Sequence, residues 1–320
     1  MSLKNSLTTN EGKKMKKRVL LVGGGVIACH YAEGLKNSPV LEVAALCDLR
    51  EDCPARSAFA DIPFYTDYQQ AAEVVKPDIA LLALTPEARM PVALYCLQNK
   101  IDVYMEKPMH TSKEGIQTYQ KEAEEYGQRV TTLYHWQFAD EVLFLKEYLQ
   151  GKRIKSICVH IQDDYACTQD NLVRADRLAL GGAWRDSGIN ALSYVQEILP
   201  LQEVTLVELE ERATGDENTT CFARHKFLVG ETSVEIVVDW RTQSREKQSV
   251  IETDEERLVV HHNSQRVWSG ERLIFEKKVA DRLTAHYANL FSSPLIEEKG
   301  DGEKSARLHQ ILFCKQKGKI

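Results

Sequence analysis

The sequence has no apolar run long enough to cross a membrane. Its longest such run, around residues 19–27, is well short of the roughly 20 residues that a spanning helix needs. It also contains no stretch in which a charged region, an apolar core and a small-residue cleavage site follow one another, as in a secretory signal. We therefore expect a cytoplasmic protein with no membrane partner.

Cysteine pairs at metal-binding spacing are absent as well. The eight cysteines are scattered, without a Cys-x-x-Cys pair or a Cys/His set at zinc spacing. The adjacent His261 and His262 lie in a segment of strand-like alternation, where neighbouring side chains point to opposite faces. We expect no metal site, and reduced thiols that pack as small hydrophobic groups.

An excess of positive charge is missing too. The 41 Lys and Arg residues are outnumbered by 47 Asp and Glu residues, for a net charge of -6, which disfavours a nucleic-acid partner. The hydrophobic share of 43% is typical of globular proteins. Because 320 residues exceed what one hydrophobic core usually holds, we expect more than one domain.

Two regimes of periodicity divide the chain. Residues 1–14 are polar and aperiodic, and we expect a disordered extension there. From Met15 to about residue 138, apolar runs alternate with amphipathic stretches, as in a doubly wound parallel sheet. Strands are predicted at 18–22, 41–48, 78–84, 101–105 and 129–134, and helices at 27–36, 91–100 and 113–126.

The second regime has period two and predicts an antiparallel sheet in a domain spanning 139–300. We expect residues 301–320 to form a C-terminal helix that packs back on the first domain. Strands are predicted at 154–161, 204–209, 221–228, 233–240, 250–253 and 257–260, and helices at 183–199, 279–291 and 304–314.

A glycine-rich turn follows the first predicted strand. Gly23 allows a tight turn, Gly25 lets a pyrophosphate approach the backbone, and Ala28 permits close helix packing. The next helical residues, Val26 and Ile27, would place their amides beside the phosphates. This turn between strand and helix predicts a Rossmann dinucleotide site.

An acid at the end of the second strand supports the same site. Asp48 lies 23 residues after Gly25, where a carboxylate accepts from the ribose 2′-hydroxyl. It would repel the 2′-phosphate of NADP, which favours NAD as the cofactor. Arg50 could pair with that phosphate, so NADP stays an alternative.

Four segments together resemble the Gfo/Idh/MocA family of NAD(P)-dependent oxidoreductases. They are Gly23-x-Gly25-x-x-Ala28, Thr85-Pro86, Glu106-Lys107-Pro108 and Gly181-Gly-Ala-Trp-Arg-Asp186-Ser-Gly-Ile-Asn190. The resemblance spans nearly the whole chain and implies an N-terminal Rossmann domain followed by an α/β domain with a large open antiparallel sheet. It also implies that Thr85, Pro86 and Glu106 border the cofactor, and that Lys107 lies beside both nicotinamide and substrate.

One position departs from the common family pattern Asp-x-x-x-His, since the fifth residue here is Asn190. The segment 186–193 is instead similar to that of the D-galactose and L-arabinose 1-dehydrogenase branch, in which Asp and Asn are the catalytic pair. Weaker similarities to this branch imply substrate contacts by His135 and Asp163. Trp184 and Trp136 are further candidates for stacking on the apolar face of a sugar, or are part of the core.

The chemistry of the pair follows from its spacing. Asp186 and Asn190 are four apart, so one helical face presents both. Alcohol oxidation needs a base within reach of the hydroxyl, and Asp186 is the candidate. Asn190 would orient the hydroxyl, and Lys107 would stabilise the developing alkoxide. Which of Asp186 and Lys107 finally holds the proton stays open.

The sequence therefore predicts an enzyme that oxidises a small carbohydrate in an aldose 1-dehydrogenase-like reaction. Two alternatives stay open: an inositol or keto-sugar oxidoreductase, and a non-catalytic sensor that retains dinucleotide binding. We also expect a homodimer or homotetramer formed through the C-terminal sheet, because too few helices follow it to cover both faces.

Overall fold

The computed structural model describes residues 15–167, 170, 172–214 and 216–320. The expected disorder of residues 1–14 lies outside this described part. Within it, no helix is both long and apolar enough to cross a membrane.

The first domain is a parallel sheet of six strands with helices on both faces. The strand order is 3-2-1-4-5-6, the doubly wound order of dinucleotide-binding domains, which confirms the predicted Rossmann class. The strands are β1 Lys17–Val22, β2 Leu41–Cys47, β3 Phe64–Tyr65, β4 Ile79–Leu82, β5 Asp102–Glu106 and β6 Val130–Leu133. The helices are α1 Val26–Asn37, α2 Tyr68–Val75, α3 Pro86–Gln98 and α4 Lys113–Tyr126.

The second domain is built on a sheet of nine strands. Along the sheet their order is 14-13-12-11-7-10-9-8-15. The strands are β7 Ile154–Gln162, β8 Val204–Thr214, β9 Asp216–Val229, β10 Thr232–Asp239, β11 Lys247–Thr253, β12 Arg257–His261, β13 Arg266–Ser269, β14 Arg272–Glu276 and β15 Gly318–Lys319. The remaining helices are α5 Asp140–Tyr148, α6 Ile189–Ile198, α7 Arg282–Ser292, α8 Ile296–Lys299 and α9 Gly302–Leu312.

The predicted antiparallel arrangement holds for this sheet except at its centre. β7 and β10 run parallel, with Val159 opposite Ile236. The chain leaves β7, forms α6 and the β8–β9 hairpin, and returns to pair with β7 from the other side. Period-two alternation reports which face of a strand is buried and carries no information on strand direction, so the parallel pair could not be predicted.

Two predicted helices differ from the structure. The single helix expected at 183–199 is a π-helical turn, Trp184–Gly188, that continues into α6. A Cβ on Gly188 would lie 2.5 Å from the Trp184 ring, so the glycine lets this wider turn close on the indole. The helix expected at 91–100 is α3, which begins at Pro86 and contains Pro91 in its interior.

The helices on either side of residue 300 pack against both domains. Tyr287, Leu290 and Phe291 of α7 are buried in the core of the first domain, next to Tyr31 of α1. Helix α9 contacts both domains, since its Leu308 lies in the core of the second. The C-terminal helices therefore join the two domains around one cleft.

Candidate active site

The glycine turn between β1 and α1 has the backbone geometry that a dinucleotide site needs. Gly23 has a φ of +98°, which favours glycine, and a Cβ there would lie 2.5 Å from the carbonyl oxygen of Ala83. Gly24 was not a candidate from the sequence, but packing constrains it. A Cβ added at Gly24 would lie 2.3 Å from Sγ of Cys53. No feature of the sequence near Cys53 indicates this contact.

Gly25 differs from its neighbours because the space beside it is open. A Cβ built on Gly25 has no atom within 4 Å among the described residues. Gly25 is also the N-cap of α1, whose first turn contains no acidic residue and no side-chain cap. Val26 is 70% exposed and Ile27 borders the cleft. The free amides of this helix end fit a pyrophosphate.

Asp48 lies beside this turn at the end of β2. Its Oδ2 accepts from the amide of Gly24 at 2.7 Å, and its Oδ1 accepts from the amide of Arg50 at 2.9 Å. The Arg50 side chain is largely exposed, with Nε 3.9 Å from Oδ1 of Asp48. The carboxylate is thus held next to the glycine turn, where it can accept from a ribose hydroxyl.

The segment after β5 carries Glu106 and Lys107. Its backbone is held by Arg89 of α3, which is buried and donates to the carbonyl oxygens of Glu106 at 2.5 Å and Pro108 at 2.6 Å. Arg89 could not be predicted from the sequence, because a lone arginine in a helix carries no signal of a distant backbone contact. Its charge-assisted bonds fix the position of Lys107.

Glu106 was expected at the cofactor, and the structure shows its carboxylate held mainly by protein. Tyr31 and Tyr287 both donate to its Oε1, the latter at 2.6 Å. Burial raises the pKa of Glu106, although these two hydroxyls lower it. Thr85 and Pro86 form the N-cap and first residue of α3, at the end of β4 next to β1.

A cavity of about 210 Å³ lies between the two domains at this point. Its wall contains Ile27 of α1 together with most of the predicted catalytic and substrate residues. A larger depression of about 640 Å³ elsewhere contains none of them. The residues that border the smaller cavity are Ile27, Glu106, Lys107, His135, Trp136, Ile161, Asp163, Tyr165, Asp186, Ser187, Asn190, Lys247, Arg282, Leu283 and Tyr287.

Lys107 and Asp186 form an ion pair in this wall. Nζ of Lys107 lies 2.5 Å from Oδ1 of Asp186 and also donates to its carbonyl oxygen at 3.2 Å. The two side chains are only 13% and 15% exposed. Burial lowers the pKa of Lys107, but the charge and hydrogen bond of Asp186, together with Glu106 and Tyr165, raise it by more in total, so the pKa stays above its ordinary value. The ammonium is therefore charged at neutral pH.

Asn190 borders the same cavity one helical turn further along. Its Oδ1 is buried and has no hydrogen-bond partner among the described residues. A buried amide oxygen without a partner loses the free energy of a hydrogen bond. A substrate hydroxyl is the kind of donor that would satisfy it.

His135 also borders the cavity, and its ring is neutral. Burial, with His286 and nearby cations, lowers the pKa of His135 well below its ordinary value. Its Nδ1 lies 3.1 Å from Nδ1 of His286, which leaves Nε2 for a substrate.

Asp163 lies in the wall with partners that the sequence analysis did not identify. Lys247 donates to its Oδ1 at 2.6 Å, and Ser187 donates to its Oδ2 at 3.3 Å. Ser187 in turn accepts from Nε1 of Trp240 at 3.0 Å. A second lysine–carboxylate pair thus borders the cavity that contains Lys107 and Asp186.

Of the two alternatives for Trp184, substrate stacking and a place in the core, the structure shows the core. Trp184 is 1% exposed, its ring lies 3.7 Å from that of His225, and its Nε1 donates to the carbonyl oxygen of Leu312. It is a core residue because the π-helical turn directs it toward the sheet. Trp136 borders the cavity instead.

The site and fold define a dinucleotide-dependent oxidoreductase, and comparison with known proteins specifies the family. Residues 17–134 match the GFO_IDH_MocA model, an oxidoreductase family with an NAD-binding Rossmann fold. The first domain is thus an NAD-binding Rossmann domain of this oxidoreductase family. The predicted family and cofactor are thus confirmed. None of the curated proteins matches this chain by sequence.

Several solved structures share the fold of the whole chain. D-galactose-1-dehydrogenase from Rhizobium etli has a TM-score of 0.74 and 21% identity, over 91% of this chain and 92% of its own. An oxidoreductase from Agrobacterium radiobacter, in complex with NAD⁺, L-tartaric acid and magnesium, has a TM-score of 0.75 and 11% identity, over 93% and 94%. A myo-inositol dehydrogenase from Corynebacterium glutamicum has a TM-score of 0.72 and 14% identity, over 93% and 95%. These identities establish a shared fold only.

Proposed function

We propose that this oxidoreductase acts on a hydroxyl-bearing carbon of a carbohydrate, in a reaction like that of an aldose 1-dehydrogenase. The observation that carries the proposal is the unpartnered Oδ1 of Asn190, in the same cavity as the Lys107–Asp186 pair. The R. etli D-galactose-1-dehydrogenase, which has the same fold, acts on a substrate of this class by its name.

Each residue has a separate task in this reaction. When bound, the nicotinamide supplies a two-electron acceptor or donor for the carbon that bears the hydroxyl. Asp186 accepts the hydroxyl proton, and the Lys107 ammonium stabilises the negative charge that develops on the oxygen. Because these two groups are 2.5 Å apart, the proton is shared within a coupled pair.

Asn190 and His135 orient the substrate. Oδ1 of Asn190 accepts from one substrate hydroxyl, and its amide group donates to a neighbouring substrate oxygen. These two bonds hold the sugar ring in one orientation. His135 is neutral and contributes a hydrogen bond through Nε2 rather than a charge. Asp163, already fixed by Lys247 and Ser187, has lone pairs left for a further hydroxyl.

An inositol or keto-sugar reaction is the second candidate, since a myo-inositol dehydrogenase shares the fold. A substitution at Asn190 distinguishes the aldose reaction from the inositol or keto-sugar reaction. An Asn190→His variant restores the Asp-x-x-x-His pattern, so it should impair aldose oxidation and improve oxidation of a ring secondary alcohol.

The test is NAD reduction by the purified protein with a panel of neutral aldoses, their uronic acids and myo-inositol. We expect turnover with at least one aldose or uronic acid, and loss of turnover in Asp186→Asn. An Asp254→Asn variant is the control, because Asp254 forms an exposed pair with Lys155 on the surface. NAD binding without reduction by any panel member would contradict the proposal and favour the non-catalytic sensor.

A further inference from the structure

One cation in the cavity wall has no counter-ion at contact distance. Arg282, in the first turn of α7, has no hydrogen bond or ion pair to any described residue, and its Nη1 is buried. A buried charge without a partner is costly unless a ligand supplies one. Burial lowers the pKa of Arg282, although nearby acids raise it.

Each acid near Arg282 is already held by another group. Asp163 pairs with Lys247 at 2.6 Å, and Oε1 of Glu141 lies 2.9 Å from Nδ1 of His262. Asp281, the N-cap of α7, accepts from the amide of Thr284 at 2.6 Å and faces His30. The guanidinium is thus left facing the cavity without a carboxylate of the protein to neutralise it.

The other charges of the wall are arranged around the same space. After burial and His286, the groups that lower the pKa of His135 are Lys107, Arg282 and Lys247, so all three cations lie near this residue. Lys107 and Lys247 pair with Asp186 and Asp163. The third carboxylate of the wall, Glu106, accepts from Tyr31 and Tyr287 instead, so among the described residues of the wall Arg282 is the cation without a carboxylate at contact distance.

We propose that the substrate of this enzyme is an acidic sugar, whose carboxylate binds Arg282 while its hydroxyls bind Asp163, Asn190 and Asp186. This inference rests on the proposed function, and names its substrate class. A guanidinium matches a carboxylate through two parallel hydrogen bonds, and Lys247 has N–H donors left for the same group.

The size of the cavity agrees with one small acid. Its volume of about 210 Å³ is below the roughly 300–1,000 Å³ of sites for drug-sized ligands. A single monosaccharide acid is of the right scale for this cavity.

Binding is the primary test, measured by calorimetry on the protein with and without NAD. D-galacturonate is compared with D-galactose and D-galactose 6-phosphate, and D-glucuronate with D-glucose. We expect the uronates to bind at least about tenfold more tightly than the neutral sugars, and the preference to weaken as salt is added. Equal affinity, or tighter binding of the neutral sugars or the phosphate, would overturn the inference.

Substitution of Arg282 tests whether this residue causes the preference for uronates over neutral sugars. Arg282→Gln should reduce the uronate-to-neutral ratio to near one, and Arg282→Lys should retain part of it, since the charge stays but the fork is lost. Arg153→Gln is the matched control, because Arg153 forms an exposed pair with Glu231. If Arg282→Gln fails to fold, Lys247→Gln takes its place. A ratio unchanged in both Arg282→Lys and Lys247→Gln would overturn the inference.

The two proposals can fail separately. Reduction of NAD by neutral and acidic sugars alike would leave the proposed function in place and remove the acidic-sugar inference. Selective binding of uronates without reduction of NAD by any sugar would leave the anion site in place and remove the proposed function.

Discussion

The backbone amide of Met109 donates to Nε2 of His309 at 3.0 Å. Nδ1 of His309 donates to the carbonyl oxygen of Ser305 at 2.6 Å, so the ring must be neutral to make both bonds. Because Met109 follows Lys107 by two residues, this contact couples the segment that carries Lys107 to α9. The structure of the site therefore depends on the protonation of a histidine outside it.

This contact predicts a loss of stability in acid. Burial lowers the pKa of His309 to about 4, while in the unfolded chain it titrates near its ordinary value of about 6.5. The stabilisation is complete above about pH 6.5 and is lost as the pH falls toward 4, because the unfolded chain binds the proton first.

The expected loss from His309 is about 2 kcal/mol between pH 7 and pH 5. Urea unfolding at both pH values measures it, and a His309→Gln variant should show a shallower dependence. His261→Gln is the control, since His261 is exposed on β12. An equal slope in wild type and His309→Gln would contradict the prediction.

The proposed catalytic roles of Asp186 and Lys107 predict that substitutions there lower kcat without changing NAD affinity. Asp186→Asn and Lys107→Ala should each lower kcat by about 10²-fold or more, the usual scale for a positioned proton carrier or charge donor. NAD affinity, measured by fluorescence titration, should stay nearly intact. If Asp186→Asn keeps its kcat, the base is another group, with Lys107 and His135 as the remaining candidates.

Asp48 predicts a preference for NAD over NADP. A phosphate next to this carboxylate costs on the order of 1.4 kcal/mol, which corresponds to at least tenfold in affinity. Asp48→Ala should narrow the gap, and Arg50→Ala should weaken NADP further. Equal affinities in the wild type would show that Arg50 compensates for the repulsion.

Gly34 predicts an unusual effect of a helix-favouring substitution. A Cβ on Gly34 of α1 would lie 2.7 Å from the carbonyl oxygen of Tyr287 and 2.9 Å from Cα of Ala288 in α7. Gly34→Ala should therefore destabilise the protein by about 1–3 kcal/mol, although alanine is the better helix former. Thermal unfolding measures the change, and a rise in Tm would show that α7 can move away from α1.

The uncovered face of the large sheet predicts an oligomer. Cys158, Val250, Val259 and Trp268 lie opposite one another across four neighbouring strands and form an apolar row on that face. We propose that a second copy of the chain covers this row. Light scattering should give at least a dimer, and Val250→Arg should lower the mass. A wild-type particle of 36.4 kDa would exclude the assembly.

Local signals were sufficient to place Asp48 beside the glycine turn and to place Asp186 and Asn190 in the wall of one cavity. The glycine turn, Asp48 and the Asp186–Asn190 spacing each lie within one short segment, and backbone geometry translates such spacing directly into position. Strand periodicity likewise predicted most strands of both sheets but missed the short strands β3, β13, β14 and β15. It also missed the parallel pairing of β7 with β10, because period two does not encode direction.

Contacts between distant segments were decided by the tertiary structure alone. Asp163 and Lys247 are 84 residues apart, and Arg282 reaches the cavity from a helix that packs on α1. The choice of Trp136 over Trp184 at the cavity depends on a π-helical turn that helical periodicity does not reveal. A sequence pattern determines which face of an element is apolar, but the packing of elements on one another determines which charges meet.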